Sequence, residues 1–102
     1  MKPSAELTVL ARSLAKVRWV CPGSLVKQYQ IKHRRGQLRR YGPYLIWTRK
    51  VEDKTVTVAL SGQQARVVAE AIANRRSLEK TLAKMQRLTV NTIMQYGKSA
   101  HL

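Results

Sequence analysis

Acidic residues are scarce in this chain: 5 Asp+Glu stand against 20 Lys+Arg over 102 residues, for a formal net charge of +15. Between Glu6 and Glu52 there is none at all. Five carboxylates leave little material for a two-metal nuclease, and the adjacent Glu52 and Asp53 suit a turn better than a catalytic pair. A single cysteine excludes an intramolecular disulfide framework. No apolar run approaches the ~20 residues needed to span a bilayer. The opening MKPSAELTVLARSLAKV lacks the continuous apolar segment of a signal peptide, so a cytoplasmic protein without membrane attachment is expected.

What is present has the apolar share of a globular chain, 44%, and a length that fits one domain over residues 1–102. A solvated surface normally mixes its charges. A tolerated excess of this size points to a polyanionic partner, and nucleic acid is the commonest.

Leu7, Leu10, Leu14 and Val17 recur at helical spacing, with Ser4 as N-cap and Glu6 in the first turn, which predicts a helix over 4–20. Pro22 and Gly23 stop it. SLVKQYQIKHR alternates as a strand over 24–33, with Leu25, Tyr29 and Ile31 on one parity and Val26, Gln28, Gln30 and Lys32 on the other. KHRRGQLRRYGPY then reads as a projecting basic loop, since it has almost nothing to bury and ends in Gly-Pro.

YLIWTRK and KTVTVAL form a hairpin, strands 43–51 and 54–60, turning at Glu52-Asp53. Leu45, Trp47, Val58 and Leu60 make its apolar face. Tyr44, Ile46, Thr48, Lys50, Thr55, Thr57 and Ala59 take the other. Ser61 and Gln64 have capping-box spacing and open a helix over 61–88, with a frayed tail over 97–102. The predicted fold class is α+β: an N-terminal helix, a three-stranded antiparallel sheet and a long C-terminal helix.

PGSLVKQY, YGPYLIW, the hairpin and AIANRRSLEKTL together resemble a family of short bacterial and archaeal proteins, without an assigned activity, that occur beside transposases and other mobile elements. The resemblance runs from Pro22 to Met85. The family carries a cysteine cluster and a His-Gly-Pro-Tyr motif; here no cysteine lies near His33, and Tyr41 stands at the histidine position. A metal site that the resemblance would imply is therefore not expected, and neither is a cofactor. The layout is also similar to the sheet-plus-helix DNA-binding domains of phage integrases and plant ethylene-response factors, an analogy of fold only.

The expected function is nucleic-acid binding without catalysis, DNA before RNA, in a mobile element or phage. Arg34, Arg35, Arg39 and Arg40 flank Gly36 and supply guanidinium forks for phosphate. Lys27, Lys32, His33 and Tyr41 extend that footprint. Tyr44, Thr48, Lys50, Thr55 and Thr57 offer hydroxyls and an ammonium on the outward hairpin face. The blander alternatives are a solvated basic loop and an ordinary exposed sheet.

Cys21 and the two tryptophans are better read as packing residues than as a nucleophile and stacking platforms. His33 and His101 have no neighbouring ligands in sequence. Leu78, Leu82, Met85 and Leu88 outrun a small core and suit either the first helix or a homodimer seam. The competing function is an inhibitor or accessory factor that binds a nucleoprotein or nuclease.

Overall fold

A computed structural model of the chain describes residues 1–97. The order is α1 (Ala5–Ser13), a short 3-10 turn (Leu14–Lys16), β1 (Ser24–Arg34), β2 (Gln37–Val51), β3 (Lys54–Leu60) and α2 (Gly62–Gly97). The strands form one antiparallel sheet in the order β1-β2-β3. The α+β class expected from the sequence is the one observed. The expected frayed tail over 97–102 lies, beyond Gly97, outside the described residues.

The caps follow the sequence. Leu7 N–H donates to Ser4 Oγ at 3.1 Å. Ser61 and Gln64 cap each other: Ser61 N–H donates to Gln64 Oε1 at 2.9 Å and Gln64 N–H to Ser61 Oγ at 3.2 Å. This reciprocal pair satisfies two amides that the helix itself leaves open.

Three boundaries differ from the expectation. The first helix ends at Ser13 with a 3-10 turn to Lys16, not near 20. From Val17 onward the chain is extended and is tied to α2. Asn74 Nδ2 donates to the Trp19 carbonyl at 2.9 Å, Cys21 N–H to the Ala71 carbonyl at 3.3 Å, and Arg18 pairs with Glu70 at 3.0 Å. The β-branched Val17 and Val20 suit that extended course.

The last helix runs on past 88 to Gly97. Thr89 and Thr92 are tolerated because their hydroxyls donate to the Met85 and Leu88 carbonyls one turn back.

The third difference is the largest. The basic stretch expected to be a loop is strand: β1 reaches Arg34 and β2 begins at Gln37. Only Arg35 and Gly36 turn, with φ of 53° and 73°. Two left-handed residues in succession match the right-handed twist of a two-stranded ribbon.

The predicted register of the second hairpin holds: Leu45 faces Leu60 and Trp47 faces Val58. α2 lies over that face at Trp47 and Leu60. Among the described residues few are buried, namely Ala65, Val68, Ala71 and Ile72 on α2. Trp47 is half-buried, its Nε1–H donating to the Pro22 carbonyl at 2.9 Å. Trp19 is exposed rather than core, and Val58 is left partly open because α2 covers only part of the sheet.

β3 pairs with Leu45–Val51 only. The far ends of β1 and β2 therefore project as a free two-stranded arm. α2 leaves the sheet in the other direction, from Leu60 opposite Leu45 past Gly23, which sits against Thr48. The result measures 81 × 29 × 19 Å, with a radius of gyration of 22.2 Å. A compact chain of this length would have about 13 Å.

Candidate nucleic-acid interface

The arm carries Lys32, Arg34, Arg35, Arg39 and Arg40 and no acid, and Lys27 stands at its base, opposite Leu45. Its pairing decides where each side chain stands. Lys32 faces Arg39, Arg34 faces Gln37, and His33 faces Leu38. Directly paired residues share a face, and alternate residues share it along a strand.

One irregularity interrupts the ladder. Gln28 pairs with Tyr44 and Gln30 with Tyr41, so Gly42 and Pro43 together oppose Tyr29. This is a β-bulge. Gly42 has φ of 120°, and a Cβ there would sit 3.0 Å from the Gln28 carbonyl oxygen, so glycine is required. The Gly42-Pro43 bond is cis. The bulge takes up one extra residue in β2 and puts Tyr41 and Tyr44 on the same side as Gln28 and Gln30.

The outward face is thereby continuous from the hairpin to the arm tip. Thr57 faces Thr48, and Thr55 faces Lys50. Val26 and Ile46 come next, followed by Tyr44, Tyr41, the Lys32–Arg39 pair and Arg34. Arg34, Arg35, Gln37, Arg39 and Tyr41 line a shallow cleft of about 240 Å³ near the tip. Lys32 Nζ lies 5.5 Å from the Tyr41 ring centre, within cation–π reach.

Three of the expected site residues fall on the opposite face: Lys27, His33 and Arg40. Arg40 lies over the Tyr29 ring at 3.7 Å. Beside that stack Ile31 and Leu38 are 68% and 64% exposed. The arm thus has a cationic, amide-bearing face and a face with apolar residues. Thr48 and Tyr41 are half-buried; the other expected site residues are exposed.

Composition alone gave no reason to single out Gln28, Gln30 and Gln37, which share the cationic face. The signal was the polar parity in KQYQIKHR, which matters only once the stretch is strand throughout.

The ion pairs among the described residues lie elsewhere. Arg18–Glu70, Arg75–Glu79 and Lys84–Glu6 hold the helical layer. Three of the five acids are used there, and Glu52 and Asp53 sit in the β2–β3 turn. Among the described residues no three His, Cys, Asp or Glu side chains gather as a metal site, and no helix is long and apolar enough to cross a membrane. The half-buried Cys21 has its Sγ 4.0 Å from the Val68 carbonyl oxygen. His101 lies outside the described residues.

No family model, curated protein or solved structure matches the chain.

Proposed function

We propose that the chain is a non-catalytic nucleic-acid-binding protein whose arm and outward sheet face form one binding surface. The observation that carries this is the alignment of Lys32, Arg34, Arg39, Tyr41, Tyr44, Thr48 and Thr57 on one face by the bulge at Gly42-Pro43. The arm's cations have no acid within the arm to pair with. Duplex DNA is the preferred partner, because a two-stranded ribbon fits the major groove of B-form DNA, about 12 Å wide, whereas the A-form major groove of RNA is deep and narrow. Phosphate contacts by lysine and arginine supply affinity. The glutamines and hydroxyls supply any preference among bases.

The mobile-element or phage setting is supported by the resemblance of Pro22–Met85. A second copy of the chain, held through the long helix, is the other proposed partner.

A gel-shift panel with duplex and single-stranded DNA and RNA, at low and high salt, tests the function. Tightest binding to duplex DNA, weakened by salt, is the expected result. Ile31 and Leu38 favour the competing reading, an accessory factor on a nucleoprotein, since exposed apolar residues beside arginines also suit a protein contact. Capture of a protein partner that survives nuclease treatment, with no binding to any of the free nucleic acids, would favour it.

A further inference from the structure

Arg35 holds a left-handed backbone, with φ of 53°, beside Gly36 at 73°. Asparagine and glycine take such a two-residue turn at least cost, because an ordinary Cβ crowds the following carbonyl oxygen. Arginine is a poor turn residue there. Strain of this kind persists where the side chain serves another purpose. The Arg35 side chain lines the cleft at the arm tip.

The other walls of that cleft are Arg34, Gln37, Arg39 and Tyr41. The pairing explains why they meet. Arg34 faces Gln37 across the turn, and Gln37, Arg39 and Tyr41 alternate along β2 on the same face. The turn then adds Arg35 from the end. Three arginines thus border about 240 Å³. Like charges gathered this way repel. No acid in the arm offsets them, and none of the three is in an ion pair among the described residues. The cleft is smaller than the roughly 300–1,000 Å³ of pockets for drug-sized ligands. It suits a small, multiply charged anion.

A phosphodiester inside a strand carries one charge and two free oxygens. A phosphate monoester carries about −1.5 to −2 charges at neutral pH and three acceptor oxygens. Each guanidinium is a planar fork that takes such oxygens in pairs. The third oxygen gives the third fork a partner, with the Gln37 amide and the Tyr41 hydroxyl beside it. We infer that the tip cleft binds a phosphate monoester at the end of a nucleic-acid strand, with Arg35 closing the cleft from the turn. The inference rests on the reading of the arm as a nucleic-acid-binding face and deepens it. The face follows the duplex, and the tip selects a phosphorylated end.

Fluorescence anisotropy with short blunt duplexes of one sequence tests it, their ends carrying 5′-phosphates, 3′-phosphates or hydroxyls alone. One of the two phosphorylated duplexes should bind about tenfold tighter than the hydroxyl-ended one. In an Arg35→Asn chain that ratio should fall close to one while the melting temperature rises. A general loss of affinity leaves the ratio unchanged, so it cannot imitate this result. A wild-type ratio of one, with duplex binding intact, overturns the inference and leaves the nucleic-acid reading standing. Binding to none of the duplexes removes that reading, and the inference with it. A 5′-mononucleotide that competes as well as the phosphorylated duplex overturns the strand end as the source of the phosphate. An Arg35→Asn chain that keeps the wild-type ratio overturns the role of Arg35, and one that melts lower shows that the arginine supports the turn rather than straining it.

Discussion

Tyr41 and Tyr44 stand three residues apart on β2, yet they pair with Gln30 and Gln28, which stand two apart on β1. An odd separation along a regular strand would put the tyrosines on opposite faces. The extra residue at Gly42-Pro43 cancels that, so the hairpin's hydroxyls and the arm's cations form one surface. The bulge is therefore a functional element of the fold.

Gly42→Ala should uncouple the two halves of that surface. The new Cβ would crowd the Gln28 carbonyl oxygen at 3.0 Å and the Tyr44 nitrogen at 3.1 Å, at φ of 120°. The strain is on the order of 1–3 kcal/mol. The helical layer lies away from the bulge, so the melting temperature should fall modestly while nucleic-acid affinity falls several-fold or more. Full affinity in the Gly42→Ala chain would show that the bulge does not organise the site.

Gly23 is the more demanding glycine. Its Cβ would overlap the Thr48 carbonyl oxygen and come within 2.8 Å of Trp47 Nε1, the group that donates to the Pro22 carbonyl. Gly36, at the arm tip, has nothing within 4 Å of the same position. Gly23→Ala should therefore cost several times the ~1–2 kcal/mol that the left-handed conformation alone imposes on Gly36→Ala. Thermal or urea melts of the two variants check the order; equal losses would contradict it.

The β2–β3 turn offers a change in the other direction. Glu52 and Asp53 have φ of 51° and 65°, and neither is glycine. Asp53→Gly should raise stability by about 1 kcal/mol by removing that strain. An unchanged or lower melting temperature would mean that the aspartate side chain supports the turn more than its backbone strains it.

Much of the fold was legible in local signals. The capping box at Ser61-Gln64, the Ser4 cap and the register of Trp47 on Val58 follow from spacing alone, because each depends on residues near in sequence. The arm was misjudged for a physical reason. A stretch whose one aliphatic residue, Leu38, stays exposed has no core to specify it as strand. Here backbone pairing and a two-residue turn at Arg35-Gly36 carry it instead. The end of α1 was overestimated because Val17 continues the apolar period of the helix while its backbone is extended, a choice set by the hydrogen bonds of Trp19 and Cys21 to α2. The cationic residues of the site were legible by composition. That Lys27 and His33 stand apart from Lys32 and Arg34 follows from alternation along β1 once the whole stretch is strand, whereas the placement of Arg40 depends on pairing across the arm.

The salt dependence of duplex binding tests the central claim most directly, with the two arm faces compared. In a Lys32→Ala/Arg34→Ala/Arg39→Ala chain the log-affinity versus log-salt slope should flatten by about 2.7, from ~0.9 for each lost phosphate contact. A His33→Ala/Arg40→Ala chain should keep a slope close to that of the wild type. Equal flattening in both chains, or no flattening in the first, would contradict the assignment of binding to the face that the bulge aligns.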